Sequence, residues 1–344
     1  MTLKKLNSEG LTNVGIQETI EFRDAVTDSY GNCEPYYYGD VKTKVESVFP
    51  FVLVKSKLFG NRMISVPFFD VGGFSGKFDS KILSLLINEL NSDSVDSVEV
   101  KIDKSDGNFE KVRNDLLKIG FSEEKAKHQF ILKLSSEEEM WKKFHKHTRN
   151  DVRMAMKSGM NLVRIDSEKE LKSFFKLYVR EMKRFGTPNH SFDFFKNLFE
   201  KCNGGFFGLN CYKDKKLAGS LIFLHGGGKG NVYVNVSNNS FRKYRPNDLL
   251  YWETIKYGIK KKLKTIDTGQ VDMDHKNGSR EWSMYKFKNK WLCEPFERIN
   301  FVFPSQTRGI SKGDKLKVFR KVWRCLPLPL IKLIGPKIRS QLGI

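Results

Sequence analysis

The sequence predicts an α+β protein made of two tandem units, each a mixed, mainly antiparallel sheet flanked by helices. Three observations lead there. The chain has 344 residues, enough for two ordinary domains with sizeable cores. Its hydrophobic content of 39%, with 13% aromatics, belongs to a folded chain rather than a disordered one. Two stretches, from Tyr36 to Pro67 and from Phe207 to Val236, repeat one outline: an antiparallel meander followed by a helix. Composition and outline divide the chain into units at 1–134 and 135–310, with a basic amphipathic tail at 311–344.

The first unit opens with a helical pattern over 18–31 that stops at Gly31. Strand patterns follow at Tyr36–Tyr38, Val48–Lys55 and Met63–Phe69, separated by turn residues such as Phe59-Gly60-Asn61. Ile82, Leu85, Leu86 and Leu90 space a helix over 79–91. A strand at Val98–Ile102, a helix over 108–119 ending at Gly120 and a strand at Phe130–Leu134 complete the unit.

The second unit starts at Ser135-Ser136. Three glutamates follow, favourable at a positive helix start, and the helix then turns basic from Lys142 to Lys157. Helices over 168–184 and 192–201 precede strands at Gly205–Tyr212, Leu217–Leu224 and Asn231–Val236. A polar loop leads into Pro246-Asn247-Asp248 and a helix to about Lys262. A short β-branched strand, Thr265–Thr268, runs into Gly269, and order resumes at Gly278-Ser279.

Charge is uneven. Residues 1–134 carry 18 Lys/Arg against 20 Asp/Glu; residues 135–344 carry 43 against 20. The positive field therefore belongs to the second half, where it either attracts phosphates (nucleotide, tRNA, CoA, an anionic lipid) or simply solvates the surface. No run of eighteen apolar residues is present, so no transmembrane helix is expected. The first residues lack an apolar signal segment, so a cytoplasmic location is expected. Five scattered cysteines, never spaced as CxxC, suggest reduced thiols and no zinc site.

Several ordered motifs carry a resemblance. Thr265-Ile-Asp-Thr-Gly-Gln, Gly278-Ser279, Phe287-Lys288 and Trp291 resemble the "strand, Asp-x-Gly, loop, Gly-Ser/Thr, Phe-Lys, Trp" signature of the FemABX peptidoglycan-bridge aminoacyltransferases and their acetyltransferase-like relatives. Lys55-Ser-Lys-Leu-Phe-Gly through Pro67-Phe-Phe-Asp-Val-Gly-Gly resembles that family's first-domain hairpin. His147-Thr-Arg-Asn-Asp-Val-Arg-Met-Ala-Met-Lys, Met182-Lys-Arg-Phe-Gly-Thr-Pro and Arg242-Lys-Tyr-Arg-Pro-Asn-Asp-Leu-Leu-Tyr-Trp are similar to its later motifs, in order. The resemblance spans about 36–295 and implies two GNAT-fold domains. It also implies acyl or aminoacyl transfer to an amine of a cell-envelope or polysaccharide precursor, from an acyl-CoA or aminoacyl-tRNA donor and without a metal. The other reading is a non-catalytic GNAT-fold binder of RNA or anionic lipid.

The resemblance singles out Asp70, Gly72 and Gly73 in the first unit, and Tyr244, Gly269, Gly278, Ser279 and Trp291 in the second, as donor- or substrate-binding positions. It also implies that Lys288 faces the donor phosphate or the developing oxyanion. Asp267 either orients the attacking amine or takes its proton, or else caps the end of a strand. Arg149, Arg153 and Lys157, spaced i, i+4, i+8, form a helix row that either grips a phosphate chain or is an ordinary exposed face. Arg242 and Arg245 precede Pro246-Asn247, a helix start suited to anions. The glycines of the usual GNAT pyrophosphate loop are missing there. No Cys/His or Ser/His pair marks a covalent nucleophile. Asp272-Met-Asp274-His275 lacks a partner motif for a metal, and His225-Gly-Gly-Gly reads as a strand-joining turn. The tail, nine Lys/Arg with one acid over 312–344, either touches an anionic membrane or packs back onto the second unit.

Overall fold

The computed structural model describes residues 3–5, 14–41, 45–76, 87–88, 95–304 and 314–343. The helix expected over 79–91 falls largely outside them.

In the first half, β1 (Leu3–Lys5), α1 (Ile20–Thr27), β2 (Cys33–Val41), β3 (Val45–Val54), β4 (Arg62–Ser65), β5 (Ser75–Gly76), β6 (Ser97–Asp103), α2 (Phe109–Ile119) and β7 (Ser122–Lys133) follow in turn. The second half contains α3 (Glu137–Lys143), α4 (Lys146–Lys157), β8 (Asn161–Arg164), α5 (Glu168–Phe185), α6 (Phe192–Lys201), β9 (Phe206–Lys213), β10 (Lys216–Gly226), β11 (Lys229–Ser237), α7 (Pro246–Lys260), β12 (Thr265–Val271), α8 (Arg280–Lys290) and β13 (Glu294–Phe303). The tail forms α9 (Asp314–Cys325) and α10 (Leu328–Leu342).

All the strands join one 13-stranded sheet whose main path runs β1-β2-β3-β4-β6-β13-β7-β12-β11-β10-β9-β8, with β5 on β3. The two halves repeat one plan. In each, an antiparallel meander ends in a strand that pairs in parallel with the next for only three residues: β4 with β6, and β11 with β12. The closing strands are exchanged. β7, last in the first half by sequence, lies against β12, and β13 lies against β6, while β7 and β13 pair with each other at the centre. The sheet therefore runs unbroken past residue 134.

Two expected elements end early, for physical reasons. The strand expected over Met63–Phe69 stops at Ser65, because Val66 and Phe68 take φ values of 50° and 65°. Both side chains are buried, and the turn they form carries Phe69 and Asp70 toward the second half. The single helix expected from 137 to 157 is two, broken at Phe144-His145. Phe144 is extended and buried, and Arg149 donates to the carbonyls of Trp141, Lys142 and Phe144 at 3.3, 3.0 and 2.7 Å, closing the end of α3. Ser136, Ser167, Ser191 and Ser279 cap the starts of α3, α5, α6 and α8 through side-chain oxygens.

The tail packs back onto the protein, and onto both halves. Trp323 and Ile331 are buried in a core shared with Phe22, Phe68, Phe174 and Phe194. Arg62 donates to the carbonyls of Gln341 and Leu342 at 2.8 and 2.7 Å. Arg339 Nε donates to His190 Nε2 at 3.2 Å, so His190 carries its proton on Nδ1 and gives it to Tyr30 Oη at 2.7 Å. Burial, and then the neighbouring Arg339, hold the His190 pKa well below its ordinary value.

Two outcomes follow for stability. Trp323→Ala, which empties a fully enclosed site, is expected to lower the unfolding free energy by about 3–5 kcal/mol in denaturant titration. His190 stays neutral when folded and takes a proton when unfolded, so its contribution is complete above the unfolded pKa and is lost as pH falls. Stability should then drop on acidification below about pH 6.5, at up to about 1.4 kcal/mol per pH unit from this one group. In His190→Gln that part of the slope disappears.

Candidate active site

β11 and β12 pair at Lys229–Asn231 with Thr265–Asp267 and then diverge. The wedge between them opens into a cavity of about 890 Å³. Val232, Asn235, Val236 and Ser237 line one wall from β11, and Thr268 and Lys288 the other. Arg242, Lys243, Arg245 and the start of α7 close the mouth, and Arg184 and Arg280 reach in from α5 and α8.

The floor follows from a break in β12. Its pairing with β7 shifts between Asp267 and Gln270, and Gly269 takes φ +85°, a conformation that favours glycine. The carbonyls of Thr268 and Gly269 turn out of the ladder there. Lys288, only 5% exposed, donates its ammonium to both, at 3.0 Å to Gly269 O and closer still to Thr268 O. Burial lowers the Lys288 pKa, and Asp267 opposes that shift. A side chain at 269 would enter this space: its Cβ would lie 3.5 Å from Lys288 Nζ and 3.8 Å from Asp70 Oδ2.

Behind the lysine lies a pair of carboxylates, one from each half. Asp267 accepts from Gly269 N at 2.7 Å and from Gln129 Nε2 at 2.5 Å. Asp70 accepts from Gln270 Nε2 at 3.0 Å and lies 3.5 Å from the same Gln129 amide. Arg298 donates to the Asp70 carbonyl at 3.0 Å. Burial and then the neighbouring Asp70 push the Asp267 pKa up to about 7, against the hydrogen bonds from Gly269 and Gln129 and the charge of Lys288. The result is a carboxyl that exchanges a proton near neutral pH beside a fixed cation.

The mouth is built for anions. Arg245 takes φ +60° at the N-cap of α7, Pro246 starts the helix, and Pro246, Asn247 and Asp248 line the cavity. Arg245 pairs with Asp151 at 2.7 Å, and Lys290 joins Asp151 to the buried Asp248. Arg184 pairs with Glu181 at 2.6 Å, and Arg280 lies 3.8 Å over the ring of Phe185. Asn235 Oδ1 and Asn247 Oδ1 are buried with no hydrogen-bond partner among the described residues. Both residues line the cavity.

The structure thus gathers Asp70, Asp267, Gly269 and Lys288 at one point, of which only Lys288 lines the cavity, and sets Arg242, Arg245 and Asn247 at the cavity mouth. Gly72 and Gly73 pack beneath Asp70: a Cβ on them would meet Val66 and Val100. Ser279 caps α8 after Gly278 (φ +82°), and Trp291 is fully buried, holding that helix in place. Tyr244 stands outside the cavity lining, under the ammonium groups of Lys213 and Lys243. The row Arg149, Arg153, Lys157 does not reach the cavity. Arg149 is occupied in closing α3, and Arg153 lies 5.4 Å over Trp141. Gln129, Gln270, Asn235, Arg184 and Arg280 escaped sequence reasoning. Of these, Gln270 and Arg184 lay inside motifs already quoted, and Arg280 follows Gly278-Ser279. His275 packs against Trp282 and Tyr285, and among the described residues no three His, Cys, Asp or Glu converge as a metal site.

Known proteins resemble this chain in segment and in fold. Residues 142–277 match the family model of the GNAT acetyltransferase domain. A lipid II:glycine glycyltransferase of Staphylococcus aureus (strain USA300) is 26% identical over 118 residues, which is 31% of this chain and 28% of that protein. The same enzyme of strain NCTC 8325 matches equally. The crystal structure of FemX superposes with a TM-score of 0.70 at 14% identity, covering 88% of this chain and 98% of that one. L-PGS from Bacillus licheniformis gives 0.55 at 10% identity, covering 90% and 98%. A tandem GNAT protein from the clavulanic acid biosynthesis pathway gives 0.53 at 11%, covering 88% and 98%. These structural likenesses carry the tandem fold. Residues 142–277 thus carry a GNAT acetyltransferase domain, and the glycyltransferase segment and the FemX superposition are likenesses to FemABX-type proteins.

Proposed function

We propose that this protein transfers an acyl or aminoacyl group from a phosphate-bearing donor to an amine, by direct attack and without a covalent enzyme intermediate. The observation that carries the reading is the junction at Gly269. There Lys288, which lines the cation-rimmed cavity, stands beside the Asp70–Asp267 pair that lies behind it. The donor, an acyl-CoA or an aminoacyl-tRNA, lies in the cavity with its phosphates at Arg242, Arg245 and the start of α7. Its carbonyl comes to the floor, where Lys288 offsets the negative charge that builds on oxygen in the transition state. The amine arrives from the carboxylate side. Asp267 takes its proton as the nitrogen bonds to the carbonyl carbon, the carbon–sulfur or carbon–oxygen bond to the donor breaks, and the departing thiolate or ribose oxygen takes up that proton from Asp267.

The acceptor we favour is a cell-envelope or polysaccharide precursor, supported by the name of the staphylococcal glycyltransferase. The missing glycines before α7 favour a second reading, a non-catalytic binder that uses side-chain cations in place of a backbone cradle.

Thermal shift with CoA, acetyl-CoA and bulk tRNA at two salt concentrations tests the donor. At a hundredfold excess over Kd a true donor adds about 2.7 kcal/mol. Arg245→Ala should reduce the shift. A protein that none of the three stabilises at low salt would sink the proposal, and a tRNA response that salt abolishes would favour the binder.

Turnover tests the floor. Asp267 acts as base only when ionised, so kcat/KM should rise with pH through about 7 and then level. Asp267→Asn should flatten the rise and cost on the order of 100-fold or more. Lys288→Ala should cut kcat by about 100-fold or more while the donor-induced shift survives. Retained turnover in Lys288→Ala would remove the lysine from the chemistry.

A further inference from the structure

The tail buries one face of α10 and leaves another open. Ile331 and Gly335 are buried, and Ile334 and Ile338 pack on the core. Leu330 and Leu333, at i and i+3 on the opposite stripe, are 39% and 63% exposed. Lys337, four residues on from Leu333, continues that stripe, and Lys332 stands beside it; both are exposed. At the far end of the helix Ser56 Oγ meets Gln341 at 3.3 Å, which fixes the loop that presents Leu58, 65% exposed, and the exposed Lys57. Lys57, Lys332 and Lys337 form no ion pair among the described residues, and residues 315–344 contain no Asp or Glu.

An isolated exposed leucine needs no explanation. Leucines set among unpaired lysines, with no acid on the segment, do. A second copy of this chain would bring the same cations and a net charge of +21 against them. Nucleic acid would use the lysines but leave the leucines in water. An anionic lipid surface satisfies both: headgroups meet the ammonium groups, and the leucines enter the acyl boundary. α10 has 15 residues, about 22 Å of helix, and no described helix is long and apolar enough to cross a membrane, so the contact lies along the surface.

We propose that the outward stripe of α10, with the Leu58 loop, docks this protein on an anionic lipid surface. The inward face keeps its packing, so docking needs no unfolding of the tail. The surface is independent of the donor cavity and of the acyl-transfer reading.

Vesicle co-sedimentation of the full chain tests it, with phosphatidylcholine alone and with added phosphatidylglycerol. The wild-type protein should sediment only with the anionic vesicles. Leu330→Glu with Leu333→Glu should weaken that binding at least about tenfold. Lys332→Gln with Lys337→Gln should weaken it about 25-fold, roughly fivefold per lysine removed. These positions are exposed, so the melting temperature and the donor-induced thermal shift should not change. The proposal falls if the wild-type protein ignores anionic vesicles at low salt, or if the leucine variant binds them as tightly as the wild type. It falls too if light scattering finds a dimer that the leucine variant splits.

Discussion

Everything at the centre of this protein hangs on the ammonium of Lys288 and the two carbonyls it holds. β12 must leave β11 after three paired residues to open the wedge. It must also keep its ladder with β7 on the other edge. A strand cannot satisfy both while staying regular, so it bulges at Thr268-Gly269 and turns two carbonyls out of the ladder. Two such acceptors left buried would cost several kcal/mol together. Lys288 offsets that cost from the next helix. In doing so it fixes α8 against the strand, seals the cavity floor, and sets a positive charge beside Asp267. One interaction therefore serves the sheet, the helix and the electrostatics at once.

The second constraint is the exchange of closing strands. With β7 and β13 crossed at the centre, Gln129 on β7 reaches both carboxylates, and Arg298 on β13 holds the Asp70 backbone. The raised pKa of Asp267 needs this proximity, since Asp70 is its second largest cause. The tail adds a strap from outside. Its Arg339–His190–Tyr30 chain and its contacts with Arg62 bind both halves to one helix. A site built from two halves stays in register only if the halves do not slide.

Much of this was legible in the sequence, and what was not has clear causes. The meanders, the cap at Ser136, the glycine stop at Gly120 and the Pro246 start are local signals, and the structure has them. β12, Gly269 and Lys288 were readable because turn chemistry and a motif coincide there. α8 was missed because Trp282, Met284, Tyr285 and Phe287 are spread around it and give no single apolar stripe. β13 carries Glu294, Glu297 and Arg298 among its apolar residues, which hides its place between two strands. The exchange of β7 and β13 leaves no local trace at all, since either pairing buries the same side chains. Gln129 was invisible for a related reason: its role exists only after strands 138 residues apart are brought together. For the basic row on α4 the sequence left two readings open, because spacing shows a shared face and says nothing of what lies opposite it. There, Arg149 met the end of its own neighbouring helix.

Two sets of cations in the second half differ in their partners among the described residues. At the cavity, Arg184 is held by Glu181 and Arg245 by Asp151, which Lys290 links to Asp248. Such pairing lowers the net field, yet it sets each guanidinium in place before a ligand arrives, so little ordering entropy remains to be lost on binding. Along α10 the lysines stand unpaired on flexible stems, which suits a fluid, non-directional partner and not a shaped one. Held cations read geometry, and loose ones read charge density. Salt should therefore act far more strongly on the tail than on the cavity, because exposed charges are screened over about 10 Å while enclosed pairs are not. The same formal charge thus carries two separable kinds of recognition, assigned by the acids that lie near it and by those that do not.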